Sequence, residues 1–301
     1  MRLNFFRVIN FSKRSVAFGF AVTGLFCAFF LGMSSAQQRA GGDSVDRYEK
    51  IDQPEGVRRM AAFRNQRLMG DYCFRFELEH LPRAQKTVSY YGTMWGSWNE
   101  LGPVTRIKLN ANAEVGFNMP VELIIQSGPQ AKVWSRTAAG DFELLKGDAL
   151  FESVIPGVTY SAFDLQMPFF YWEEFLYEGP ARERSQIVQL FSMQAPVGSY
   201  AYERGISAVR LGLHDVYDAL LRVEVLDENS EELSRFTVES FKKVQGEYIV
   251  KEVTLKDYAT RDRTRFKVKA AIVGLGLDEA LFDASEPVNP PVINSEMFEE
   301  L

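Results

Sequence analysis

The chain has 301 residues, with 34 Lys and Arg against 40 Asp and Glu, 46% apolar residues, 22 Gly and 12 Pro. That composition is ordinary for a globular protein and excludes a disordered, collagen-like or polytopic membrane chain. Two Cys and two His leave little material for a soft-ligand metal site or a disulfide framework, and no cofactor is expected.

At the N-terminus Arg2, Arg7, Lys13 and Arg14 precede an uncharged apolar run over 15–33, followed by Ser34-Ser35-Ala36. Basic region, apolar region and small residues in that order are the layout of a secretory signal spanning 1–36. Its removal leaves 30 basic against 40 acidic residues, a formal charge of −10, which opposes nucleic acid. The alternative is an uncleaved segment tethering the protein to the inner membrane, since the run is close to the roughly 20 residues that cross a bilayer. In both cases the positive charge comes first, so the rest of the chain is exported. The expected location is the periplasm of a Gram-negative-type envelope, with nothing membrane-spanning after cleavage. Loss of Cys27 with the signal leaves Cys73 alone, and stability must come from the core.

Residues 37–283 read as one domain and 284–301 (ASEPVNPPVINSEMFEEL) as a disordered Pro-rich, acidic tail, because little apolar material remains there to pack. A helix is predicted over 46–68, open to a break near Pro54, with Val57, Met60, Ala61, Phe63 and Leu68 sharing a face. From Tyr72 the period becomes two: Tyr72, Phe74, Phe76 and Leu78 alternate with Cys73, Arg75, Glu77 and Glu79, a half-buried strand. The stretch 141–179 has no clean alternation and crowds Phe163, Phe169, Phe170, Tyr171, Trp172, Phe175 and Tyr177 together, as short helices packed on a sheet would. Near the C-terminus Val223 and Val225, then Phe236 and Val238, alternate with charged residues on either side of a polar turn at 227–232. Strands over 248–255 and 264–270 follow, making a meander with one wet face.

Patterns that carry chemistry are missing. There is no P-loop, no HExxH and no GxSxG. His214 beside Asp215 and Asp218 reads as a loop or strand-edge residue, since adjacent residues do not face each other. His80, before Leu81-Pro82, reads as a solvated strand terminus. Glu173 and Glu174 read as surface charges on an aromatic-rich helix, and Cys73, on the polar side of its strand, as an inert thiol. Gly274-Leu275-Gly276 reads as a turn, and Arg263, Arg265, Lys267 and Lys269 as a solvated outer face beside acidic neighbours. Without a convergent acid, base or nucleophile, no enzyme is expected.

The order of the pieces carries a resemblance. An export signal, a helix and a strand near Tyr90-Tyr91-Gly92 precede the block ending FFYWEEFLYEG. After it come QLFSMQAP, YDALLRVEVLDENSEEL and KKVQGEYIVKEVTLKDYATRDRTRFKV. Over 56–282 this resembles the outer membrane lipoprotein-sorting family, the LolA-like fold. Its most specific parts are the run into a charged turn at 215–224, the KV.G.Y..KE step at 242–253, the basic strand at 264–268 and the closing GL....F at 276–282.

The resemblance implies an α+β fold: a curved antiparallel sheet forming an incomplete β-barrel of about eleven strands, with helices covering the concave face. A sheet too short to close needs helices or a ligand over its apolar side. Phe74, Phe76, Val225, Phe236, Val238, Phe266 and Val268 would line the wall, with Phe170 and Trp172 among the covering residues. Such a protein is expected to bind acyl chains of a lipid or lipoprotein and pass them to an envelope acceptor protein. The alternative is a structural or protein-interaction module of the envelope in which the same residues fill a dry core.

Overall fold

The computed structural model describes residues 50–113, 116–137, 140–155 and 158–301. The expected signal at 1–36, the polar leader and the first residues of the expected helix lie outside the described residues. Helix α1 spans Gln53–Arg64. The Asp52 carboxylate accepts the Glu55 N–H at 2.9 Å, and Pro54 sits in the first turn, where its missing N–H costs nothing. Proline therefore opens the helix and does not break it. The inward face is Gly56, Met60 and Phe63, while Val57, expected on that face, is 51% exposed. Spacings of four and three residues align the first three, and Val57 lies about a quarter turn away.

The chain then leaves the helix for strands β1 (Asp71–Leu81), β2 (Val88–Asn99), β3 (Gly102–Leu109), β4 (Val121–Gln126), β5 (Lys132–Thr137) and β6 (Glu143–Leu144). Each pairs antiparallel with its predecessor. After a long crossing come β7 (Phe175–Glu183), β8 (Gln186–Gln194), β9 (Ala208–His214), β10 (Leu220–Leu226), β11 (Glu232–Val244), β12 (Glu247–Asp257) and β13 (Arg263–Leu275). These pair in turn, and β13 closes the path by pairing with β1. The result is one curved, unclosed antiparallel sheet of thirteen strands, with β14 (Glu299–Glu300) added beside β13. The expected count of about eleven was low. β4 is buried along its whole length, so it lacks the alternation by which a half-buried strand announces itself.

Strands β6 and β7 follow each other in sequence yet form opposite edges of the sheet. Residues 145–174, here called the strap, therefore pass from one edge to the other. They hold a turn at Gly147–Leu150, helix α2 (Ala162–Gln166) and a turn at Pro168–Tyr171. One apolar core takes side chains from α1, from the strap, from β1 to β5 and from β8 to β13, which requires the sheet to roll around its own covering segments.

The expected C-terminal meander is present as β10 to β13. Its charged turn is held by Asp227, whose Oδ1 accepts the N–H groups of Asn229 and Glu231 at 2.9 and 2.8 Å. The basic row on β13 has the acidic neighbours expected of a solvated face. Arg265 and Lys267 reach Glu79 at 3.0 and 2.8 Å, and Lys269 reaches Glu77 at 3.6 Å.

Two expectations about the outer face change. Cys73 points outward but is buried with Trp95, Ile272 and Leu281 beneath Ile293 and Phe298, and burial pushes its thiol up to about 12. The tail expected to be disordered supplies that cover. Arg106 donates to the carbonyls of Leu281 and Val288 at 3.0 and 2.7 Å, the Arg75 guanidinium lies 4.1 Å over the Phe298 ring, and β14 pairs with Ala270 and Ala271. Its few apolar residues pack only because a distant surface awaits them.

Candidate functional site: the concave face and its cover

Alternation along β1 and β13 sends Phe74, Phe76, Phe266 and Val268 inward, and their antiparallel register sets Phe76 opposite Val268. The Phe76 and Phe266 rings stack with centroids 4.9 Å apart. Two glycines on β2 leave room for the cross-strand rings: a Cβ at Gly92 would lie 2.5 Å from Phe76 Cζ, and one at Gly96 1.9 Å from Tyr72 Cζ. From the other half of the sheet Val225 and Phe236 are buried in the same core, and Val238 packs against it half-buried.

The strap owes its shape to local chemistry. Ser161 caps α2, its hydroxyl accepting the Asp164 N–H at 3.1 Å while Asp164 accepts the Ser161 N–H at 2.9 Å, the reciprocal pair of a capping box. Met167 takes a left-handed conformation, φ 47°, just before Pro168, and the chain turns sharply. Phe169 thus meets Phe170 at 5.0 Å and Trp172 at 6.2 Å, edge to face. Phe170 in turn meets Phe63 of α1 at 5.0 Å, and Tyr160 meets Phe236 of the wall at 5.6 Å. Phe170 and Trp172, named from sequence as covering residues, are both buried.

Polar groups tie the cover down. Arg64 Nε donates to the Phe170 carbonyl at 2.5 Å and its Nη2 to the Trp172 carbonyl at 2.8 Å, joining helix to strap. Arg59 Nη1 donates to the Asp215 carbonyl at 2.5 Å and to Asp218 Oδ1 at 3.2 Å, joining helix to the turn after β9. The Thr159 and Thr264 hydroxyls lie 2.5 Å apart, joining strap to β13. None of these ties was legible in sequence, because each partner is more than a hundred residues away and no local period points to it.

Both histidines weighed for catalysis are held in hydrogen bonds. His80 is buried, its Nδ1 3.1 Å from Thr264 Oγ1, so the expected solvated strand end is wrong. The β1–β13 register places Thr264 directly opposite, and burial holds the imidazole pKa below its usual value. His214 ends β9 as expected. Its Nδ1 accepts the Val216 N–H at 3.1 Å, and Nε2 lies 3.0 Å from Gln186 Oε1. Glu173 and Glu174 are exposed, on the irregular link before β7 and not on a helix. Among the described residues no group of three or more His, Cys, Asp or Glu could hold a metal ion, and no helix is long and apolar enough to cross a membrane.

A rolled, open antiparallel sheet with segments laid across its concave side defines the class of LolA-like half-barrels. Solved structures share it. A DUF1329 family protein from Desulfovibrio piger is 14% identical with a TM-score of 0.61, over 72% of this chain and 91% of that one. A protein domain from Vibrio parahaemolyticus described as outer membrane lipoprotein-sorting is 15% identical with a TM-score of 0.62, over the same shares. A LolA superfamily protein from Nitrosomonas europaea is 10% identical with a TM-score of 0.54, over 71% of this chain and 90% of that one. No protein-family model and no curated protein sequence matches the chain. At these identities the likeness is one of fold, and on fold the resemblance read from the sequence holds.

Proposed function

We propose that this protein is a non-enzymatic carrier that shelters acyl chains of a lipid or lipoprotein on its concave face, in the periplasm, and passes them to an envelope acceptor protein. One observation carries the reading: the strap crosses that face from edge to edge, yet among the described residues its backbone-to-backbone hydrogen bonds to the sheet lie only near its ends, at Leu145 and Glu174. Between those points rings and a few side-chain ties hold it, so it can lift without breaking a strand ladder.

The energetics suit exchange. An empty apolar face of this size would be costly, and the strap aromatics fill it when no cargo is bound. An incoming chain that takes their place contributes about 0.8 kcal/mol for each methylene buried, offsetting contacts of similar kind that the strap gives up. Loading and release are then close to balanced, as a carrier needs. Phe74, Phe76, Val225, Phe236, Val238, Phe266 and Val268 would form the wall met by the chain, and Phe170 and Trp172 would move with the strap.

The ring packing of Phe76 on Phe266 and of Phe169 on Phe170 and Trp172 favours a second reading, an envelope interaction module whose core stays filled. Mass spectrometry of the gently purified protein, with displacement of a fluorescent fatty acid, separates the two. A carrier retains a co-purifying acyl lipid and releases the probe to competitors. Absence of both leaves the module, which predicts a stable protein partner instead.

A further inference from the structure

The β11–β12 hairpin leaves the sheet on both sides. Its ladder to β10 ends where Thr237 faces Arg222, and its ladder to β13 ends where Glu252 faces Lys267. Beyond those points the strands pair with each other, from Ser240 opposite Glu252 to Val244 opposite Glu247, through two register shifts that bend the arm. On the β13 side the opening is closed: Gln245 Oε1 accepts the Val273 N–H at 3.0 Å, β14 pairs with Ala270 and Ala271, and Leu301 packs on the core.

The β10 side differs. There a groove of about 470 Å³ separates Val238, Phe241 and Tyr248 of the arm from Tyr217, Ala219 and Leu221, a volume within the range of small-ligand pockets. Val238 and Phe241 also pack against the main core, so the groove floor is continuous with the concave face. Across its mouth Arg184, on the β7–β8 turn, pairs with Glu239 of β11. The Arg184 side chain is 56% exposed, and such a surface pair contributes about 0–1 kcal/mol.

We propose that this gap is the doorway through which an acyl chain reaches the concave core, with the Arg184–Glu239 pair as its catch. The inference rests on the carrier reading above. An aliphatic chain fits the lining, which is apolar and aromatic below a charged rim, and the wall can yield because only side chains bridge it. The β11–β12 arm, tied on its other side by the Gln245 side chain, is the part that swings.

The test is the rate of uptake of a pyrene-labelled fatty acid by the full protein carrying Arg184→Cys and Glu239→Cys. Buried Cys73, its thiol pushed up to about 12, does not compete for the reagent. Bridging the two cysteines with a short bismaleimide is expected to slow uptake by about tenfold or more, whereas capping each with a monofunctional maleimide leaves uptake fast. Glu239→Gln, which frees the catch without touching the core, is expected to speed uptake two- to threefold, roughly the loss of a surface ion pair. A bridged protein that takes up the probe as fast as the capped one overturns the doorway while leaving the carrier reading intact. A wild-type protein that binds no probe at all overturns the carrier reading, and the doorway with it.

Discussion

Tyr160 shows how much one buried atom can matter. The residue is fully buried on the strap and its hydroxyl has no hydrogen-bond partner among the described residues, and burial pushes the phenol pKa upward. An unsatisfied buried hydroxyl costs about 1–3 kcal/mol, while the ring itself packs on Phe236. Tyr160→Phe is therefore expected to raise stability by about 1 kcal/mol, read as a higher urea midpoint at unchanged slope. An unchanged or lower midpoint would mean the hydroxyl is satisfied inside the core. Arg106 is the opposite case, fully buried with every guanidinium nitrogen bonded: it donates to Glu122 at 2.6 Å and to the carbonyls of Leu281 and Val288. Burial pulls the Glu122 carboxyl up, but hydrogen bonds and charge from Arg106 and Arg136 outweigh it and hold the pKa below the usual value.

At the scale of the element, the strap contains its own latch, one that loosens as pH rises. Asp164 completes the α2 capping box, yet burial pushes its carboxyl up to about 6 from 3.8, with Ser161 hydrogen bonds opposing and Asp257 adding a little. A carboxyl whose pKa is raised in the folded state binds more protons there than when unfolded. Its favourable contribution is therefore full below 3.8 and lost as pH rises through about 6. Hydrogen exchange of strap amides, corrected for intrinsic rates, is expected to show protection falling over that window, and Asp164→Asn to flatten the dependence. A wild-type profile as flat as that of the variant would show that Asp164 does not govern the strap. Release of the cover is thereby expected to be easier at neutral than at acidic pH.

At the scale of the whole molecule, the described residues form two apolar clusters, one on each side of the same sheet. The concave one lies under α1 and the strap, and the smaller convex one, around Cys73, Trp95 and Ile272, lies under the tail. Deleting residues 284–301 removes Ile293 and Phe298 from that cover and the Val288 carbonyl from Arg106. The shortened protein is expected to bind a hydrophobic dye and to make Cys73 reactive towards thiol reagents, while α1 and the strap stay in place over the concave face. A Cys73 that remains inert would show that the tail does not shield it.

Much of this architecture is local in origin and readable from residue order. Period-two runs mark β1 and the strands from β10 to β13, and the charged turn at 227–231 joins β10 to β11. The crowded aromatics of 163–177 mark a segment that must be packed upon. Other strands were hidden because burial on both faces, as in β4, or an irregular edge, as in β7 with its register shift, erases alternation. The nine wall and cover residues were legible as apolar positions, but not what faces them. Sequence by itself determined which side of each strand is greasy, since side-chain direction alternates along the backbone whatever the surroundings. Tertiary structure decided that β6 and β7 lie at opposite edges with the strap crossing between them, that an acidic, proline-rich tail becomes a cover, and that the β11–β12 arm leaves a gap. Those outcomes depend on pairings and burial between residues far apart in the chain, which no local period encodes.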